Sequence, residues 1–515
     1  MTIRPFLVFC ARFHAAISLR YWFAIDIAIR YRYRSYPAFP IASRDIDIDS
    51  DSEKTTINGC GSAALGPLWF KKSFFSFRVS PCLSWIKWRG HSFLLFFVVP
   101  IFGCGQAAPC LGDNASVSGD NTPLPQQKDT PDKTGRSFMI RTEQSGERQF
   151  MARAIELARR GLTTTDPNPR VGCVLVREGE IVGEGWHERA GSPHAECNAL
   201  AQAGESARGA TAYVTLEPCC HVGRTEPCTR ALIDAGVRCV VGAMTDPNPR
   251  VSGQGFAELS RAGIAVRTGC MASEAASLNP GFVLRMERGR PFVRCKLAMS
   301  LDGRTAMSSG ESQWITGPAA RRDVQRLRAR SSAILTGAGT VLLDNPSLTV
   351  RPEELGVAPD SPVRQPLRVV LDPALVTPPD AAILRSDIAP TVVIAASGQY
   401  SEERAEAIVP TGAKLVSLPG TRDALNLGGV MDYLGKQEIN EVLLECGARL
   451  AGAMLRGGFI DELIVYLAPT IMGSGARGLF ELPGLERMAD RFHLEIRDIR
   501  AVGRDWRITA ERLQR

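Results

Sequence analysis

The chain has 515 residues, room for about two to four ordinary domains, and is 44% hydrophobic and 22% charged, which excludes global disorder. Its formal charge of +7 is uneven: residues 1–138 hold 16 Lys and Arg against 10 Asp and Glu, and the rest hold 45 against 44. A near-neutral main part argues against general nucleic-acid binding, and no uninterrupted apolar run reaches the roughly 18 residues a spanning helix needs. Fourteen Cys at uneven spacing in a long chain point to a reducing, cytoplasmic setting with some thiols on a metal.

Residues 1–138 differ from the remainder. They hold 22 of the 36 aromatic residues and 6 of the 9 Lys, whereas the other 377 residues use 42 Arg and 3 Lys. No sustained helical or strand periodicity runs through them. The apolar run from Phe93 to Cys104, broken by Pro100, lies too far from the N-terminus for a signal segment, and the Asp run from Asp45 to Asp51 is wrong for an organellar transit peptide. The expectation is an extension without a stable fold, ahead of a start near Met139 or Met151, with 112–137 as a linker.

From Gln149 the pattern becomes regular. Phe150, Ala154, Ile155, Leu157 and Ala158 space as the apolar face of a helix ending near Gly161. Apolar runs at 171–176 and 181–185 predict strands, followed by a helix over 194–203, a strand over 212–216, a helix over 229–235 and a strand over 239–243. The pattern pauses near 280–291. Strands are then predicted at 293–299, 333–336, 368–371, 391–395, 441–445 and 462–467. This alternation predicts an α/β class, with domains over 139–288 and 289–515. The heptapeptide Thr-Asp-Pro-Asn-Pro-Arg-Val occurs at 165–171 and again at 245–251, and reads both times as a turn leading into a strand.

His194-Ala195-Glu196, Pro218-Cys219 and Cys228 carry the first chemical signal. A catalytic Zn²⁺ takes three protein ligands and keeps a position for water, whose pKa falls to about 7. His194, Cys219 and Cys228 supply such a set. Glu196 lies near a helix start, where it can face the pocket without binding metal and shuttle a proton. That matches the H-x-E and P-C signature of base deaminases. The two Cys stand nine positions apart instead of in P-C-x-x-C. Cys220 and His221 could also reach a metal, and Cys219 is chosen because it follows the Pro. The bland alternative is a set of buried core thiols.

Thr215-Leu216-Glu217-Pro218-Cys219, Gly223-Arg224-Thr225 and Pro227-Cys228, with Pro167-Asn168-Pro169 and Val171-Gly172, resemble the bacterial bifunctional deaminase–reductases of riboflavin biosynthesis. The resemblance covers about 149–515. Cys220 departs from it, standing where the family usually has Ser. It implies a cytidine-deaminase-like three-layer domain followed by a dihydrofolate-reductase-like α/β domain, both acting on a phosphorylated pyrimidine. Arg224 is then expected near the substrate phosphate and Asn168 at the pyrimidine edge.

In the C-terminal part, Gly337-Ala338-Gly339 lacks the third glycine of a dinucleotide fingerprint and is weak by itself. Strand-to-turn segments at Lys296 to Arg304 and Glu445-Cys446-Gly447-Ala448 could bring backbone amides to an anion. The resemblance implies NADPH as cofactor, contacted by Ala298, Trp314, Thr340 and Asp344 and by the turn Gly447, Ala448, Arg449, Leu450, Ala451, Gly452 and Ala453. It implies substrate contacts from Ser312, Arg328, Leu348, Arg351 and Glu445, with both Arg suited to a 5′-phosphate. Cys446, Ala448 and Pro373 depart from the family's usual residues. Lys296 and Asp302 are candidates for the reductive proton, against a structural ion pair. The implied enzyme removes ammonia from a diaminopyrimidinone with Zn²⁺, then reduces its ribosyl side chain with NADPH, as a cytoplasmic homo-oligomer that binds neither nucleic acid nor membrane. Two alternatives stay open: a deaminase with a degenerate reductase half, and a non-catalytic zinc module. Glu196 separates the latter, because a closed structural zinc site needs no carboxylate beside it.

Overall fold

A computed structural model describes residues 84–88, 91–95 and 136–512 except 222–225 and 359–362, with side chains from residue 146 onward. Ser84–Trp88 (β1) and His91–Leu95 (β2) form an antiparallel pair. Apart from this pair and the helix that begins at Arg136, the expectation for 1–138 lies outside the described residues, as does Arg224. Among the described residues no helix is long and apolar enough to cross a membrane.

The N-terminal half runs α1 (Arg136–Ala158), β3 (Gly172–Arg177), β4 (Glu180–Trp186), α2 (Ala195–Ala203), β5 (Thr211–Val214), α3 (Cys228–Asp234), β6 (Cys239–Gly242), α4 (Gln254–Arg261), β7 (Ala265–Thr268), α5 (Ala272–Ala276) and α6 (Pro280–Arg288). Its sheet has the order β4-β3-β5-β6-β7. β3 pairs antiparallel with β4 and β5, and β5, β6 and β7 are parallel. The period-2 pattern of β3 feeds two cores. Cys173 and Leu175 pack with Ala195 and Ala199 of α2, whereas Val174 and Val176 pack with Ala154, Ile155 and Ala158 of α1. Helices therefore cover both faces, and the strands read as continuous apolar runs for that reason. This is the three-layer arrangement the resemblance implied.

The C-terminal half runs β8 (Phe292–Ser300), β9 (Arg304–Ala306), α7 (Pro318–Arg330), β10 (Ala333–Gly337), α8 (Ala338–Asp344), α9 (Pro352–Leu355), β11 (Leu367–Leu371), β12 (Thr391–Ala396), α10 (Glu402–Ile408), β13 (Lys414–Leu418), α11 (Leu427–Lys436), β14 (Glu441–Glu445), α12 (Ala448–Arg456), β15 (Glu462–Ala468), β16 (Arg477–Gly478), β17 (Leu494–Val502) and β18 (Asp505–Arg512). Nine strands form one sheet in the order β13-β12-β11-β10-β14-β8-β15-β18-β17. The strands from β13 to β15 run parallel, and β18 and β17 close the edge antiparallel. After β10 the chain builds outward to β13 and returns at β14 on the other side of β10. The strand order thus reverses between β10 and β14, and ligand crevices of open α/β sheets form beyond the carboxyl ends of strands at such a point.

One expectation changes. The first heptapeptide copy leads into β3, but the second leads, through Gly253, into helix α4. A Pro-Asn-Pro turn fixes how the chain enters an element, not which element follows.

Candidate active sites

The zinc-type constellation sits where two helix starts face one loop. His194 is the N-cap of α2, Glu196 lies in its first turn, and Cys228 opens α3. Helix N-termini favour anionic ligands and thiolates. His194 Nδ1 lies 3.2 Å from Cys228 Sγ and 3.5 Å from Cys219 Sγ, and the Cys228 N–H donates to Cys219 Sγ at 3.4 Å. The three ligand atoms all lie within 4.8 Å of one another. One imidazole and two thiols converging on one point fit Zn²⁺. Cys220 and His221 stay outside the trio; Cys220 is partly exposed and its thiol is pushed up by burial. The Cys219 thiol is held down to about 4, first by its hydrogen bond with Cys228 and then by that with His194. Glu196 is 3% exposed, and burial pushes its carboxyl up to about 7.

Beside the trio opens a cavity of about 410 Å³, whose lining includes His194, Glu196 and Cys219 together with Asn168, His187, Asp246 and Asn248. That volume suits a small-molecule ligand. Both heptapeptide copies reach it, through Asn168 and Asn248. Asn168 was expected from the sequence; His187, Asp246 and Asn248 were not, and the repeat was the available signal. His187 Nδ1 lies 3.2 Å from the Pro193 carbonyl and Nε2 lies 3.1 Å from Asn168 Nδ2. The carbonyl requires a donor, so Nδ1 carries the proton and Nε2 accepts from the Asn168 amide. Burial lowers the His187 pKa and keeps the ring neutral. The ring thereby fixes which way Asn168 turns its amide. Burial raises Asp246 to about 6. Glu217, in the Leu-Glu-Pro-Cys segment, accepts the N–H groups of Asp246, Gly253, Gly255 and Phe256 at 2.8–3.2 Å. It locks the Cys219 turn to the second heptapeptide.

In the C-terminal half Ala298 and Glu445 lie near the carboxyl ends of β8 and β14, Thr340 and Asp344 lie in α8 after β10, and 447–453 form the start of α12. The Ser312 hydroxyl donates to Asp344 at 3.1 Å. Trp314 is 67% exposed, with the Arg321 guanidinium 4.6 Å above its ring, so it is not a core residue. Leu348 is: its side chain is 4% exposed within the apolar cluster of Val341, Val370 and Leu375, and its φ is +48°. Ala451 and Gly452 also turn inward. A Cβ on Gly452 would lie 2.1 Å from the Glu481 carbonyl oxygen, so this glycine serves packing. Gly447, Arg449 and Ala453 are exposed, and Ala448 and Leu450 are half-buried. Ala298 and Thr340 are half-buried and Arg351 is exposed.

Arg328 does not present a free cation. Its Nε and Nη2 donate to Glu445 at 2.6 and 3.1 Å, and Nη1 donates to the Thr349 carbonyl at 3.0 Å. A bidentate carboxylate pair takes the Nε and Nη2 edge, so Arg328 orients Glu445, and these three contacts use three of its five N–H groups. Lys296 stands opposite Glu445 in the β8–β14 register, and burial lowers its pKa against the opposing pull of Glu445. Asp302 instead holds a turn, accepting from the Ser300 hydroxyl at 2.5 Å and the Gly473 N–H at 2.8 Å.

Residues 291–508 match the RibD C-terminal domain, and residues 144–244 match the cytidine and deoxycytidylate deaminase zinc-binding region. The riboflavin biosynthesis protein RibD of Escherichia coli K12 is 53% identical over 362 residues, 69% of this chain and 96% of that protein. The chain belongs to the RibD family. Acinetobacter baumannii RibD, a solved structure, is 44% identical with a TM-score of 0.65, covering 72% of this chain and all 100% of its own. A Thermotoga maritima structure, described as a diaminohydroxyphosphoribosylaminopyrimidine deaminase/5-amino-6-(5-phosphoribosylamino)uracil reductase, is 31% identical with a TM-score of 0.62 over the same shares. Membership makes this chain a bifunctional riboflavin biosynthesis enzyme, a zinc deaminase and an NADPH-dependent reductase in one polypeptide. The non-catalytic reading of the zinc site finds no support.

Proposed function

We propose that the N-terminal half deaminates 2,5-diamino-6-(5-phosphoribosylamino)pyrimidin-4(3H)-one and that the C-terminal half reduces the product to 5-amino-6-(5-phosphoribitylamino)uracil. The observation that carries this is the convergence of His194, Cys219 and Cys228 beside buried Glu196, at a cavity in the same chain as an α/β crevice. His194, Cys219 and Cys228 hold the metal, and bound Zn²⁺ supplies the Lewis acidity that makes a water nucleophilic near neutral pH. Glu196 would carry one water proton to the ring nitrogen and then the hydroxyl proton to the amine, which leaves as ammonia as the hydroxyl becomes a carbonyl. A buried carboxyl beside the ligand trio is placed to give and take that proton. Asn168, aligned by His187, grips the pyrimidine edge, and Arg224 pairs with the phosphate.

NADPH supplies hydride to C1′ of the ribosyl group when bound. Its contacts are Ala298, Trp314, Thr340, Asp344 and the start of α12 from Gly447, with Ser312, Arg351 and the Leu348 backbone on the substrate. Lys296, destabilised as a cation by burial and opposite Glu445 in the sheet register, delivers the proton to the ring oxygen as the ribose opens. The two domains divide at 288/289, between α6 and β8. A cytoplasmic homo-oligomer acting without nucleic acid or membrane completes the proposal.

The test supplies the phosphorylated pyrimidine and NADPH to the purified protein and follows ammonia release and NADPH oxidation in one tube. Both signals are expected. Glu196→Gln should lower ammonia release by at least about a hundredfold while one zinc per chain remains and the deaminated intermediate is still reduced. Undiminished ammonia release from Glu196→Gln would remove Glu196 from the mechanism.

A further inference from the structure

The deaminase cavity is not built by the N-terminal half alone. Glu438, in the turn before β14 of the reductase sheet, lines it together with Phe282, Arg285 and Met286 of α6. Two residues after Glu438 stands Asn440, which is 5% exposed and hydrogen-bonded on both sides of its amide. Its Nδ2 donates to the Pro167 carbonyl at 2.7 Å and approaches Asp166 Oδ1 at 3.4 Å. Its Oδ1 accepts from Arg285 Nε at 2.7 Å. A single reductase-domain amide thus holds two parts of the cavity lining, the loop that carries Asn168 and the cation Arg285.

The loop has further reductase-domain anchors. The Ser332 hydroxyl donates to Asp166 at 2.6 Å, and Arg364 lies 3.5 Å from the same carboxylate. From the deaminase side His187 reaches the Asn168 side chain, and the Asn168 N–H donates to the Thr165 carbonyl at 2.8 Å. The residue that grips the pyrimidine is therefore clamped between His187 of its own domain and Asn440 of the other, the latter acting through the preceding carbonyl.

We infer that Asn440 of the reductase domain is a positioning residue for deamination, and that Glu438 completes the wall of the deaminase cavity. The inference rests on the proposed pyrimidine deamination. It ties the efficiency of the first reaction to contacts supplied by the reductase domain.

Asn440→Asp tests it in the full-length protein. The variant keeps an acceptor for Arg285 but sets a carboxylate against the Pro167 carbonyl and Asp166, so it releases the loop. A misplacement of the substrate-gripping residue of this kind should lower kcat/KM for ammonia release by about tenfold or more. Zinc content should stay unchanged. NADPH-dependent reduction of the separately supplied deaminated intermediate should stay within about twofold. Equal losses in both half-reactions, or a loss in neither, would overturn the positioning role of Asn440. Glu438→Ala alters an exposed turn residue and should shift the KM of deamination alone; an unchanged KM would overturn the wall. Failure of the underlying reading looks different, because the unaltered protein would then release no ammonia from this pyrimidine.

Discussion

Which sulfur binds the metal is decided by direction rather than by proximity in sequence. Cys219 and Cys220 are neighbours, yet only Cys219 points its Sγ at His194, and only it receives the Cys228 N–H. Cys220 is left partly exposed, with its Sγ outside the trio of converging ligand atoms. Cys219→Ser should therefore lose stoichiometric zinc and ammonia release together. Cys220→Ser should keep one zinc per chain and near-normal turnover. Metal analysis of the two purified variants distinguishes them, and zinc loss from Cys220→Ser instead would reassign the ligand. The ligands and Glu196 were legible in the sequence because each lies in a short local motif whose chemistry is specific. His187, Asp246, Arg285 and Glu438 were not, because they meet only when separate elements converge on the cavity. Arg328 shows the converse: its type suited a phosphate, but residue type does not reveal that it is also paired with Glu445 and the Thr349 carbonyl.

At the scale of elements, the position of α2 sets the active site. This helix backs directly onto β4 at two glycines. A Cβ on Gly185 would lie 2.3 Å from the Ala195 carbonyl oxygen and 2.4 Å from the Ala199 nitrogen, and one on Gly183 would lie 2.4 Å from the Ala199 carbonyl oxygen. Backbone cannot yield cheaply, so a side chain at Gly185 must push away the helix that carries His194 and Glu196. Gly185→Ala is expected to cost about 1–3 kcal/mol as overpacking. Zinc affinity should weaken with it, because the displaced residues are a ligand and its neighbour. Thermal melts with and without added zinc measure both effects; a variant as stable and as zinc-loaded as the parent would show that α2 is free to shift. The elements themselves were readable wherever burial was two-sided. The strand predicted at 441–445 coincides with β14, and those at 391–395 and 462–467 each fall one residue short of β12 and β15. β17 and β18 escaped notice because β17 is largely solvent-facing and its charges pair locally, as in Arg497 with Glu495 and Glu511. Such a strand lacks the apolar run that marks a buried one.

Across the whole molecule, the two halves meet around a buried carboxylate. Glu441 is 1% exposed. It pairs with Arg170 of the first half and with Arg294 and Arg330 of the second, the last two at 2.8 and 3.3 Å. Burial alone would raise its pKa, but Arg330, Arg170 and Arg294 outweigh that and hold the carboxyl well below the usual range. Removing the charge strands three guanidiniums, so Glu441→Gln should destabilise the folded protein by about 3–5 kcal/mol at neutral pH. The pH dependence follows from linkage. A group whose pKa is depressed by folding contributes stability that is full above its unfolded value and lost as pH falls toward its folded one. For Glu441 the loss begins near its ordinary value of 4.5. Each pH unit below that removes up to about 1.4 kcal/mol from the parent. The Gln variant has no such proton to bind, so the stability gap between the two should narrow steadily as the pH is lowered from 5 to about 3. Denaturant unfolding of both proteins across that range measures the gap. A constant gap would mean that folding leaves the Glu441 pKa unshifted, so that Glu441 contributes through packing and hydrogen-bond geometry rather than charge. A closing gap would place an acid-sensitive ionic joint between the two domains, one residue from the amide proposed to hold the deaminase loop.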